Sequence, residues 1–238
     1  MYKRLKETYS NLPSIELFTQ YDNLEYSDNL TKEDIKQIKL GQKKMTNMLR
    51  VFNKICKDNN IKYWCTQGTL LGVIRHKGWI PWDGDIDISM LEEDYNKLKI
   101  IIQDLLPKDM WFQNSETDKY YKASQAVEAK IRDLNSCYIE YTNNGGTSWH
   151  NGLQIDIFVY NKSSAAKHQP KDIIFPLKNM VFEDIKVYVP NNYEKYLNNT
   201  FGDNWIELLD KDERFPHEGK MDGENTCKFH YEKYPNIH

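Results

Sequence analysis

A chain of 238 residues is long enough to bury one sizeable core. Its formal net charge of −3 gives no global basic field, so nucleic acid and anionic membrane are not expected as partners. No apolar run approaches the roughly 20 residues that span a bilayer, so no transmembrane segment is expected. Residues 1–20 also lack the apolar centre of a signal peptide, and the expected location is cytoplasmic.

Residues 1–30 are polar and weakly patterned, and read as an arm lying on a single domain over 31–238. Thr31 with Asp34 forms a capping-type helix start. Ile35, Ile38, Met45, Met48, Phe52 and Ile55 follow at helical spacing, and the helix should end near Asp58–Asn60. Ile61–Thr66 reads as a strand. Gly68–Ile74 reads as a tight turn entering a short helix, and Gly78–Trp82 as a loop that Pro81 keeps non-helical. Residues 85–90 form a strand, and residues 92–106 a helix that buries Tyr95, Leu98, Ile102 and Leu105.

Strand-like segments recur at 124–133, 136–141 and 153–160, with a turn at Asn143–Gly146. A hairpin is expected over Val181–Val189 and a short helix over Asn191–Thr200. The stretch after Pro216 reads as an irregular tail, and 107–125 as loop. The fold class is therefore α/β (α+β), with a mixed or predominantly antiparallel sheet. Cys56, Cys65, Cys137 and Cys227 form no CxxC pair and are expected to be reduced, mostly buried thiols.

The chemistry concentrates between Gly68 and Asp87. Asp85 and Asp87 alternate on a strand, so their carboxylates share a face and repel unless a cation lies between them. Hard oxygen ligands suit Mg²⁺ or Mn²⁺. Asp156 interrupts the apolar run Leu153–Val159 and is the candidate third ligand, since a buried carboxylate is costly without a partner. Asp83 is a further metal candidate, or a turn-forming residue before Gly84. An EF-hand-like Ca²⁺ loop starting at Asp83 is disfavoured, because Ile88 stands where that loop needs glycine.

Gly68 and Thr69 can present backbone N–H groups to an anion. Arg75, His76 and Lys77 can neutralise a diphosphate, Arg75 best because its fork matches two phosphate oxygens. Lys130 and Arg132 alternate on a strand expected beside that of Asp156, and can face the same phosphates or solvent. Trp82 and Trp149 can stack on a base or pack in the core.

The stretch Gly68-Thr-Leu-Leu-Gly-Val-Ile-Arg-His-Lys-Gly-Trp-Ile-Pro-Trp-Asp-Gly-Asp-Ile-Asp87 resembles the hallmark of the LicD family, which includes the fukutin-type proteins. Gly84 stands where the family commonly has Asp. Ile155–Phe158, Lys130–Asp133 and Pro190–Asp203 resemble its later elements. The resemblance implies a nucleotidyltransferase-like mixed β-sheet flanked by helices, with Asp85, Asp87 and Asp156 as the catalytic metal acids. It also implies Mg²⁺-dependent transfer of a phosphorylated alcohol, such as phosphocholine or ribitol phosphate. The donor would be CDP-linked, the acceptor a glycan hydroxyl, and CMP the leaving group. Asp156 would complete the metal site and help take the acceptor proton. The alternatives are a nucleotidyltransferase that releases pyrophosphate from an NTP, and a non-catalytic nucleotide- or glycan-binding module.

Overall fold

The computed structural model describes Tyr9 and residues 25–118, 121, 127–140, 152–160 and 169–226. Most of the expected arm, the Asn143–Gly146 turn, Trp149 and Cys227 lie outside the described residues.

Helix α1 spans Lys32–Asp58. Its start is the capping box that the spacing predicts. The Thr31 hydroxyl accepts the Asp34 N–H at 3.1 Å, and the Asp34 carboxylate accepts the Thr31 N–H at 3.0 Å. Ile38, Met45, Met48, Phe52 and Ile55 are buried along one face, while Ile35 is half-buried. Helix α2 (Gln67–Leu71) runs into one π turn (Gly72–His76), and helix α3 spans Glu92–Leu105 with its four expected apolar residues buried.

Five strands form the central sheet: β1 (Trp64–Cys65), β2 (Ile86–Met90), β3 (Met110–Gln113), β4 (Ala129–Asp133) and, after β5 (Cys137–Glu140) in the chain, β6 (Gln154–Val159). Their order is β1-β2-β6-β4-β3. Only β2 and β6 run parallel; the other neighbours are antiparallel. Every residue of β6 is buried, as its central place requires. The register sets Asp87 beside Asp156 on one flank of β6, and Lys130 beside Asp156 on the other. Two acids and a lysine thus form one row across three strands. The expected mixed sheet is present, with α1 packed against β6 and α3 against β3.

Short helix α4 (Lys171–Ile174) precedes the hairpin of β7 (Lys178–Phe182) and β8 (Ile185–Val189), and helix α5 spans Tyr193–Phe201. Three features depart from the sequence reading. The strand expected over Ile61–Thr66 is only two residues long, and β3 lies in a stretch read as loop. The stretch after Pro216 contains β9 (Gly219–Asp222), which pairs antiparallel with β5. Cys56 and Cys65 are free buried thiols, as expected, but Cys137 is disulfide-bonded. Among the described residues, no helix is long and apolar enough to cross a membrane.

Candidate active site

The loop between α2 and β2 is held from below by polar residues of α1. The buried Gln42 amide donates to the carbonyls of Ile80, Pro81 and Asp83 at 3.0–3.1 Å. The Trp79 indole N–H donates to the Thr46 hydroxyl at 2.8 Å, and the Glu183 carboxylate accepts the Trp79 backbone N–H at 3.0 Å. These bonds fix the chain just before the acids. The sequence reading placed α1 in the core by its apolar face; the role of Gln42 has no signature in spacing.

Asp85 precedes β2, and Asp87 lies within it. One carboxylate oxygen from each of Asp85, Asp87 and Asp156 can be chosen so that all lie within 4.8 Å of one another. Asp85 and Asp156 are 4% exposed, and Asp87 is half-buried. Oδ2 of Asp85 and Oδ1 of Asp156 have no hydrogen-bond partner. Burying such atoms without compensation is costly. Three converging acids, two of them with an orphaned oxygen, form a group that could hold a hard divalent cation.

The electrostatics agree. Burial raises the Asp85 carboxyl well above the ordinary carboxylate range, and the charges of Asp87 and Glu218 push it further. Burial also raises Asp87, helped by Asp156 and Glu218. Asp156 rises through burial as well, although the Lys130 ammonium opposes the shift. Lys130 Nζ donates to Asp156 Oδ2 at 2.9 Å and to Gln154 Oε1 at 3.0 Å. It holds one Asp156 oxygen, while the other has no hydrogen-bond partner.

Asp83 is not a member of this three-acid group. Its Oδ1 accepts the Gly84 N–H at 3.0 Å, which fits the turn-forming reading. Its carboxyl is pushed up to about 7, by burial first and by Glu218 next. A side chain at Gly68 would meet Asp83 Oδ2 at 2.8 Å and would displace the Asp83 carboxylate, so glycine lets helix α2 lie close to this turn. The Thr69 hydroxyl accepts the Asp87 backbone N–H at 2.8 Å and ties α2 to β2.

The cations are anchored within the protein. Arg75 Nη1 donates to the Trp205 and Glu207 carbonyls at 2.9 and 2.6 Å, and Nε donates to His76 Nε2 at 2.9 Å. His76 is buried, and burial with the neighbouring Arg75 charge lowers its pKa to about 3, so it is neutral. Arg132 is buried and donates to Gln113, Gly152 and Gln154. The Trp82 ring is buried, with the Arg214 guanidinium 5.6 Å from its centroid.

Residues 60–192 match the family model described as LicD/FKTN/FKRP, nucleotidyltransferase domain. The chain belongs to the LicD family. Among curated relatives, the lipopolysaccharide cholinephosphotransferase LicD of Haemophilus influenzae is 35% identical over 140 residues, covering 55% of this chain and 45% of that protein. The mouse ribitol 5-phosphate transferase FKRP is 25% identical over 159 residues, covering 62% of this chain and 29% of the relative. Mouse FKTN, a ribitol-5-phosphate transferase, is 25% identical over 173 residues, covering 69% and 33%. The chain thus matches less than half the length of each of these relatives. The LicD-family span contains Gly68–Asp87, Lys130, Arg132 and Asp156. It excludes β9 and the residues leading into it.

Two residues near the acids were not found by sequence reasoning. Tyr138 of β5 is buried, and its hydroxyl has no hydrogen-bond partner. Glu218, just before β9, raises the pKa of Asp83, Asp85, Asp87, Asp156 and Tyr138 alike. Neither is linked to the Gly68–Asp87 motif by spacing; the pairing of β5 with β9 brings them there.

Proposed function

We propose that this chain transfers a phosphorylated alcohol from a CDP-linked donor to a glycan hydroxyl, releasing CMP. The observation that supports it best is the Asp85, Asp87 and Asp156 cluster, built on a parallel strand pair within a LicD-family domain. The names of the relatives point to phosphocholine and ribitol phosphate as the class of group moved.

Asp85, Asp87 and Asp156 would hold Mg²⁺ or Mn²⁺, which would supply positive charge against the donor phosphates. Lys130 keeps Asp156 oriented through its 2.9 Å contact and is the cation best placed to meet a donor phosphate oxygen. Arg132, Arg75, His76 and the Gly68–Thr69 backbone complete the candidate donor set, with Trp82 as the candidate base platform. Their anchoring to protein carbonyls and amides would hold the phosphate region fixed, so that little reorganisation is needed at the moment of transfer.

The test pairs purified protein with CDP-choline, CDP-ribitol, CTP and ATP, with Mg²⁺ and with chelator. CMP release from a CDP-alcohol that requires the cation supports the proposal. Pyrophosphate release from CTP or ATP would replace it with the nucleotidyltransferase reading. Asp156→Asn and Asp87→Asn should each abolish release while leaving the circular dichroism spectrum unchanged; wild-type turnover in either would refute the assignment.

A further inference from the structure

We propose that Glu218 and Tyr138 form the acceptor side of the site, with Glu218 as the base that takes the proton of the attacking hydroxyl. This rests on the transferase reading above.

Asp156, which the sequence reading nominated to help take that proton, is buried and paired with Lys130. Its Oδ2 receives Lys130 at 2.9 Å, and one of its oxygens lies within 4.8 Å of Asp85 and Asp87. His76 is neutral and accepts from Arg75, and Asp83 is folded onto its own turn and against Gly68. A base must be reachable by the incoming hydroxyl. Glu218 is exposed, unlike the buried or half-buried acids whose carboxyls its charge raises.

Its place follows from close backbone packing. A side chain at Gly84, between Asp83 and Asp85, would meet Tyr138 Oη at 3.2 Å and Pro216 Cβ at 3.6 Å. A side chain at Gly219 would meet the Tyr138 ring at 2.9 Å and the Ile139 carbonyl at 2.6 Å. Residues 216 and 219 therefore bracket Tyr138 over the acidic turn, and Glu218 lies between them. The Tyr138 hydroxyl is buried, has no hydrogen-bond partner and lies against Gly84, so it leaves an unsatisfied polar group beside the acidic turn. The influence of Glu218 on all four aspartates agrees with this placement.

In the step proposed, the acceptor O–H proton passes to the Glu218 carboxylate. The acceptor oxygen forms a bond to the distal phosphorus, the bond from that phosphorus to the bridging oxygen breaks, and CMP leaves with the electron pair. Pro216–Asp222 lies outside residues 60–192, so the family match does not itself assign this base.

The experiment measures CMP release from CDP-choline and CDP-ribitol with Mg²⁺, using a methyl hexoside as the probe acceptor. Glu218→Ala and Glu218→Gln should each lower kcat by about 100-fold or more. Donor and Mn²⁺ affinities, read by calorimetry, should stay at the wild-type value. Added formate should restore part of the rate to Glu218→Ala, because the deleted carboxylate was exposed, and should not help Glu218→Gln. Tyr138→Phe should raise KM for the hexoside and leave KM for the donor unchanged. Unchanged kcat in Glu218→Ala overturns the inference while leaving the transferase reading standing. Loss of Mn²⁺ affinity without formate rescue also overturns it, making Glu218 a metal ligand. A wild-type protein that releases no CMP removes the transferase reading and this inference together.

Discussion

Lys130 and Asp156 face each other across β4 and β6, with side chains only 11% and 5% exposed. Without a cation in the cluster, Lys130 is the larger of two charges that offset the buried Asp156 carboxylate, Arg132 being the other. Breaking such a pair by removing one partner leaves an uncompensated charge. Lys130→Met should therefore destabilise the chelated protein by about 3 kcal/mol near neutral pH, read by urea denaturation. The loss should shrink at acidic pH, where the Asp156 carboxyl, already raised, takes a proton. An equal loss at both pH values would mean that Lys130 acts through packing alone. The alternation of Lys130 and Arg132, and the acid inside an apolar strand, were legible in the sequence because both are local patterns. That Lys130 bonds Asp156 was not, because the contact depends on the register between two strands.

At the scale of elements, the loop that carries Arg75 and His76 closes on a single glycine. The Gly78 N–H donates to the Gly72 carbonyl at 3.3 Å, and a side chain at Gly72 would lie 2.5 Å from the Gly78 carbonyl oxygen. Backbone cannot yield as a flexible side chain does. Gly72→Ala should open this closure at a cost of about 1–3 kcal/mol and loosen the Arg75 contacts to Trp205 and Glu207. Denaturation gives the first effect, and proteolysis of the 203–214 segment the second; a variant as stable and as resistant as wild type would refute it. Helices α1, α3 and α5, strand β2 and the β7–β8 hairpin were readable because each holds a hydrophobic period or cap over enough residues. Strand β1 was read, but over Ile61–Thr66 where only Trp64–Cys65 pair, while β3 and β9 are four residues long and lie in stretches read as loop and tail. They exist through their partners, and β9 is the one that brings Glu218 to the acids.

For the whole molecule, the acidic cluster links stability to pH and to divalent cations. The folded chain holds protons on Asp83, up to about 7, and on the raised Asp85 and Asp87, all of which the unfolded chain releases near pH 4. Above that value the native state binds more protons, so stability falls as pH rises through the folded values. His76 works the other way: lowered to about 3, it makes the unfolded state bind more protons only up to its ordinary pKa of about 6.5. Above ~6.5 the carboxyls act alone, and below ~8 the buried thiols do not yet contribute. The Tm of chelated protein should therefore fall between these two pH values. Millimolar Mg²⁺ or Mn²⁺ should abolish or reverse the fall, because a bound cation replaces the protons and stabilises the native state by mass action. The disulfide at Cys137, which weighs against the cytoplasmic expectation, makes non-reducing buffer the right condition for the scan. A chelated Tm that is flat across the window, with no response to either cation, would show that the three carboxylates do not share one ion.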